Sequence, residues 1–307
     1  MDGSSCRAIT APAPAAAKSL AMSTAKLGAL FVLVWSSGYI AGKYALAHAG
    51  AFTMLTARFA GAAIVFALLA WVARAPWPGW RALGHSAVVG VLTLALQFSG
   101  AYVGVQWGAE VGVAALVIGA MPLVTAVLAP LFGERVTARQ WLGLALGLGG
   151  VLLVLGDRLH VGGARPGAYA LLVLGLIGIS IGTLYQKRFA SAIDLRVGLT
   201  VQHVVAALAL LPFAAAEGWR IDSTATAVLS LAWLIGINSV GGFALLFALL
   251  RRGAANRVAQ LFFLIPPVTA IWAYLLFGEH FTVLKLAGFL VAALGVWIGT
   301  RAVPNRG

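Results

Sequence analysis

The stretch VAALVIGAMPLVTAVLAPLFGE, residues 113–134, returns as VAQLFFLIPPVTAIWAYLLFGE, residues 258–279, at a constant offset of 145 positions. Val113-Ala114 answers Val258-Ala259, Leu116 answers Leu261, Pro122 answers Pro267, and Leu131-Phe132-Gly133-Glu134 answers Leu276-Phe277-Gly278-Glu279. The match runs on through Thr137, Gly143, Gly150 and Val151, which meet Thr282, Gly288, Gly295 and Val296. Upstream a weaker match holds at an offset of 141, where Tyr44 meets Tyr185, Gln97 meets Asn238, Gly100 meets Gly241 and Tyr102 meets Phe243. The register slips by four residues between the two blocks, about one helical turn. The 307-residue chain is one half-length unit used twice.

That unit is composed for a bilayer. Hydrophobic residues make up 62% of the chain and charged residues 9%, and the mean hydropathy is +0.98. A soluble protein carries about 25% charged residues. Ten apolar stretches are each long enough to cross a hydrocarbon layer about 30 Å thick as a helix of roughly 20 residues. They lie near 26–46, 53–73, 84–105, 111–133, 138–156, 167–190, 195–216, 225–250, 254–278 and 283–301. In a soluble protein the net charge of +13 would point to nucleic acid. Here it has another cause, because Lys and Arg collect on the side from which translocation is disfavoured. With the N-terminus inside, fifteen of the 21 fall on the cytoplasmic side and only Arg158, Arg165, Arg220 and Lys285 on the outer side, with Lys43 and Arg58 within spans. Both termini are therefore expected in the cytoplasm of an inner-membrane protein whose macromolecular partner is the lipid bilayer, not nucleic acid.

Five spans per unit is an odd number, so the second copy is expected upside down relative to the first. The expected organisation is a disordered cytoplasmic tail over 1–25, a first five-helix repeat over 26–157, and a second over 158–307 ending in a short cytoplasmic C-terminus. No apolar stretch precedes the Ala-rich run around Pro12 and Pro14, so a removed signal peptide is not expected there, and Met22 is a second candidate start. Inverted repeats are a common basis for alternating access around a central site. Cys6 is the only cysteine, which leaves no disulfide frame or multi-thiolate metal site within one chain; no cofactor or metal is expected.

Ala259-x₄-Leu264-Ile265-Pro266-Pro267-Val268-x-Ala270, closing in Leu276-Phe277-Gly278-Glu279, resembles the second EamA repeat of the drug/metabolite transporter superfamily. Val113 to Glu134 resembles the first repeat, and Trp35-Ser36-Ser37-Gly38-Tyr39 with Ala57-Arg58-Phe59 resembles its opening. The resemblance covers about residues 26 to 301. It implies an all-α membrane protein of ten helices in two inverted five-helix repeats. Spans 1, 3, 4, 6, 8 and 9 would wall a central cavity, with spans 5 and 10 peripheral. It also implies a secondary transporter of small metabolites, often an exporter, with amino acids a frequent substrate class. The small four-span multidrug exporters of that superfamily use a membrane-buried glutamate, whereas all eight acidic residues here fall in loops or at span ends. A channel-like permease and a polytopic membrane enzyme are the alternatives. The second finds little support in five scattered histidines, of which only His203 lies deep in a span and can equally be hydrogen-bonded structure.

Several polar and aromatic residues lie where the spans should be driest. Gln97 and Asn238 sit near the centres of spans 3 and 8 at equivalent positions. An unsatisfied amide there costs several kcal/mol, so each either faces a watered cavity and the substrate or bonds another helix. Trp35 and Tyr39 share a face of span 1; with Tyr102, Tyr185 and Gln260 they form a candidate amide- and aromatic-lined pocket. Pro122 and the pair Pro266-Pro267 lie mid-span, as hinges of a cavity wall or as packing kinks. Lys43 and Arg58 point towards the outer leaflet near Glu110, either as a gate or carboxylate contact, or as an ion pair between Arg58 and Glu110. Glu134 and Glu279 are expected to build turns, each accepting from the start of the helix that follows. The small residues Gly143, Gly147, Gly288 and Ala292 permit close helix approach, within one chain or in a homodimer through spans 5 and 10.

Overall fold

The computed structural model describes residues 23–133, 137–161, 164–252, 261–262, 264–279 and 282–300. Glu134, Gln260 and the tail before Ser23 lie outside them. Regular structure among the described residues is helical, apart from an isolated bridge between Ala49 and Ile221. Among the described residues seven helices are long and apolar enough to cross a membrane: α1 (Thr24–Leu46), α2 (Ala51–Val72), α3 (Trp80–Gln106), α4 (Val111–Phe132), α6 (Gly167–Ala190), α7 (Leu195–Ala216) and α8 (Ala225–Leu249). Three further helices are α5 (Ala138–Val161), α9 (Ile265–Phe277) and α10 (Val283–Thr300), whose apolar stretches Ala138–Val154, Ile265–Phe277 and Val283–Gly295 are shorter.

Helix starts follow from local chemistry. Ser23 caps α1 by accepting from Lys26 N at 3.3 Å, and Thr224 caps α8 by accepting from Ala227 N at 3.2 Å. Asp194 caps α7 and also takes the Arg196 guanidinium, which holds its carboxyl below the usual carboxylate range. That cap is fully formed above the ordinary carboxylate pKa and is lost as pH falls through the lowered value. Gly133 and Gly278 end α4 and α9 in the left-handed region, with φ of 82° and 65°.

Burial runs opposite to that of a soluble protein. Ile64 and Leu275 are each 71% exposed on the outer surface, whereas Arg58, Gln97, Gln202, Asn238 and Glu279 are buried. An apolar exterior around a polar interior suits lipid. The loops divide into two ends. Glu110, Glu217, Asp222 and Glu279 gather at the acidic end, where Asp222 N donates to His48 O and Arg165 N donates to Trp107 O. At the basic end Ser86 Oγ donates to Gly198 O, and Arg188 Nη1 donates to Phe132 O.

α5 packs on α10, α2 on α7, and α4 on α9; α3 packs on α6 and α7, and α1 on α8 and α9. The glycine faces of α5 and α10 meet each other within the chain. A Cβ at Gly150 would overlap the Ala292 backbone, and one at Gly295 would overlap that of Gly147. A homodimer through these two helices would therefore have to use their other faces. Gly150→Ala is expected to cost about 1–3 kcal/mol through overpacking, read as a lower unfolding temperature in detergent. Its neighbour Gly149 has open space around it, so Gly149→Ala serves as the neutral control.

Candidate functional site

A cavity of about 420 Å³ lies inside the bundle. Its wall takes Trp35, Gly38 and Tyr39 from α1, Gln97, Phe98 and Tyr102 from α3, Gly119 and Pro122 from α4, and Thr183 and Gln186 from α6. Asn238, Ser239, Phe243 and Phe247 come from α8, with Phe262 just ahead of α9 and Ile265 at its start. Beyond the six expected spans, α2 contributes Arg58 and α7 contributes Leu195, Leu199 and Gln202.

Wide helical turns aim the amides inward. α3 widens into a π-helix over Gly90–Leu96 just before Gln97, and α8 does so over Trp233–Gly241, which contains Asn238. Such insertions rotate the following side chains and free backbone carbonyls, and they are common at functional sites.

The cavity has two chemically different ends. Towards the acidic end its wall holds Arg58, 2% exposed. The Arg58 guanidinium donates from Nη2 to Asn238 Oδ1 at 2.6 Å, from Nε to Ser239 Oγ at 3.2 Å and from Nη1 to the Tyr102 hydroxyl at 3.3 Å. Phe98 lies 4.5 Å from its Cζ, ring face on. Tyr102 donates to Gly38 O at 2.9 Å, and Asn238 Nδ2 donates to Val34 O at 3.0 Å, so the cluster ties α2, α3 and α8 to α1. Towards the basic end the wall is aromatic and apolar. Trp35 packs on Phe243 and Phe262 at 5.7 and 5.3 Å, next to Leu246 and Phe247. Leu195 at that rim is 37% exposed. Among the described residues no hydrogen bond occupies the Tyr39 hydroxyl or the side-chain amides of Gln97 and Gln202.

Gln97, Asn238, Trp35, Tyr39, Tyr102 and Pro122 thus line one cavity, and Arg58 joins them. Tyr185 does not. Its hydroxyl lies 2.8 Å from His85 Nδ1 and its ring packs on Phe189, tying α6 to α3, while the next residue, Gln186, faces the cavity. One residue is about 100° of helical rotation. The expected Arg58–Glu110 pair is also absent. Glu110 pairs with Lys285, and Lys43 Nζ lies 2.9 Å from Glu279 Oε1. Arg58 lies too deep to reach a carboxylate at the bundle end. Glu279 does build on a helix start, but not that of the helix after it. Its oxygens accept from Val111 N at 2.9 Å and Gly112 N at 3.2 Å, capping α4 across the bundle. Glu217, at the end of α7, caps α2 in the same manner through Thr53 N at 3.0 Å. His203 is structural, its Nδ1 donating to Leu199 O at 2.8 Å. Gln202, beside it, was missed in the sequence; its signal was an amide in an apolar span.

The prolines mark breaks in the helices rather than smooth kinks. α4 restarts after Ala120 (φ −75°, ψ 0°) with Pro122 in its first turn, and α9 starts after Leu264 (φ −82°, ψ −15°) with Pro266 in the same position. There the missing N–H costs nothing. Pro266 rather than Pro267 is thus the structural counterpart of Pro122. The breaks touch, since a Cβ on Gly119 would meet Pro266 Cγ at 2.5 Å. Pro266 and Pro267 line a second, apolar groove of about 390 Å³ between α4, α9 and α10. Each break is met by a serine from the other half: Ser36 Oγ donates to Ile265 O and Ser180 Oγ to Met121 O, both at 3.4 Å.

The EamA-like transporter family model matches this chain twice, over residues 22–156 and 166–300. The chain belongs to the EamA-like transporter family. Curated relatives of this EamA protein include proteins named "Probable amino-acid metabolite efflux pump". That of Salmonella typhimurium is 28% identical over 89% of this chain and 93% of its own length, and that of Escherichia coli is 26% identical over 91% and 95%. The uncharacterized inner membrane transporter YedA of Escherichia coli is 25% identical over 80% of each chain. A crystal structure superposes with a TM-score of 0.62 at 18% identity over 90% of this chain and 95% of that one, a likeness of fold alone. Family and relatives point to transport rather than to catalysis.

Proposed function

We propose that this EamA protein exports small metabolites, amino acids foremost, across the inner membrane by alternating access between two inverted five-helix halves, with both termini cytoplasmic. One observation carries the proposal: a cavity at the seam of the two halves whose lining runs from the buried polar cluster around Arg58 and Tyr102 to the 37% exposed Leu195 near the basic end. A channel needs a path through both ends, and the burial of the Arg58 cluster on one side against exposure on the other favours a carrier. The inverted relation is supported by the helix pairs. Exchanging each helix with the one five later turns α1–α9 into α6–α4, α3–α6 into α8–α1, and α3–α7 into α8–α2, all of which pack. The reciprocal bonds from Ser36 and Ser180 obey the same exchange. On this basis the two proline breaks serve as hinges and the basic end, rich in Lys and Arg, faces the cytoplasm. Export and the amino-acid class draw on the names of the relatives.

The test is counterflow in proteoliposomes loaded with a mixture of amino acids. Saturable exchange of at least one of them supports the proposal, and non-saturable leakage or no movement refutes it. Gln97→Ala and Asn238→Ala are expected to lower flux at least tenfold at unchanged protein level. Asn238→Ala should be the worse of the two, because it also removes an acceptor from Arg58. Unchanged flux in both would remove these amides from the site.

A further inference from the structure

We infer that the ligand of the central cavity carries a single carboxylate, and that Arg58 is its anchor; this rests on the cavity being the transport site. A guanidinium has five N–H donors and stays protonated in proteins. Three of the five are used here, and every acceptor is neutral: the Asn238 amide, the Ser239 hydroxyl and the Tyr102 hydroxyl. Among the described residues two donors are left over, and the positive charge meets no anion, only the face of Phe98. Neutral acceptors do not compensate a charge removed from water, and a buried ion without a counter-ion is strongly unfavourable.

Among the described residues no carboxylate supplies the counter-charge. The cavity wall contains none, and Glu279 and Glu110 are engaged by Lys43 and Lys285. An anion arriving in the cavity would therefore complete a site that is otherwise unbalanced. Arg58 is the one charged residue in the described wall. One cation pairs with one carboxylate, whereas the second negative charge of a phosphate dianion would meet no cation in the described wall; the ammonium group of an amino acid lies beside its own carboxylate. The other free groups fit the rest of an amino acid. Gln97, Gln202 and Tyr39 each offer an acceptor oxygen for an ammonium group. The aromatic wall around Trp35, Phe243 and Phe262 suits an apolar side chain.

Binding of L-leucine and L-phenylalanine is to be measured against their carboxamides, using the full chain in lipid nanodiscs. The amide keeps size and ammonium group but loses the negative charge. At least one free acid should bind wild type 30-fold or more tighter than its amide. The ratio should fall below threefold in Arg58→Gln. In Arg58→Lys, which keeps the charge without the planar fork, it should fall about tenfold. Should Arg58→Gln not fold, the lysine variant decides. Equal binding of acid and amide to wild type, or a ratio that survives in Arg58→Lys, overturns the inference. So does counter-transport of a neutral or cationic metabolite when neither acid binds, and that result leaves the transport proposal standing. No transport of any compound from a cell extract removes both.

Discussion

Replacing Glu279 by alanine is expected to open the acidic end of the bundle. One carboxylate holds three donors there: Lys43 Nζ, Val111 N and Gly112 N. It thereby joins α9 to α1 and to the first turn of α4, where a negative charge is also favoured by the helix dipole. Glu279 is 7% exposed. Removing one member of a buried ion pair costs about 3–5 kcal/mol, and the low end applies because Lys43 is partly exposed. A loss of about 3 kcal/mol from the closed form alone shifts a two-state equilibrium roughly a hundredfold. Sidedness can be read directly by placing a cysteine at Ala101, a buried cavity residue, in a Cys6→Ser background. Without the Glu279 change, an impermeant maleimide should label it from the basic end only. With Glu279→Ala it should label from the acidic end, and Glu279→Gln should fall between, since it keeps one acceptor oxygen but neither the second nor the charge. Labelling confined to the basic end in all three would show that this carboxylate does not hold the bundle shut.

The same carboxylate illustrates what the sequence discloses and what it withholds. Its Gly-Glu position at a helix end is legible from the repeat, and so is a disturbance of the helix at Pro122 and at Pro266-Pro267, because prolines in an apolar run have few conformational choices; that these are breaks, with Pro266 and not Pro267 answering Pro122, is not. Gln97 and Asn238 are legible as well, since amides in the middle of an apolar span must face something polar. Partner choice is not. Depth along the span equates Arg58 with Glu110, but helix crossing and rotation decide which side chains meet. Those depend on small residues such as Gly38 and on the π turns, neither of which leaves a periodic trace. Tyr185 and Gln186 differ by one position, and the π-helix over Gln186–Ala190 begins between them. Gln202 escaped because its counterpart at the 141 offset is Gly61, so the repeat gave it no echo.

Gly42→Ala should disable the site without touching any polar group. Gly42 faces Tyr102 so closely that an added Cβ would overlap the ring. That ring cannot yield freely. Its hydroxyl donates to Gly38 O and accepts from Arg58, and its face stacks on Phe98 at 6.0 Å. Displacing it costs about 1–3 kcal/mol in overpacking. Losing an acceptor for a buried guanidinium adds about 1–3 kcal/mol more, for a total of about 4 kcal/mol. Transport should drop at least a hundredfold and the unfolding temperature should fall. Gly84→Ala, where the added methyl meets nothing within 4 Å, should instead be neutral or stabilising by up to about 1 kcal/mol. The double variant Gly42→Ala/Tyr102→Ala separates the two costs. It removes the overlap, so thermal stability should recover in part, yet Arg58 still lacks the hydroxyl and transport should stay low. Full recovery of transport in the double variant would mean that Tyr102 only fills space, and that the orientation of Arg58 does not depend on it.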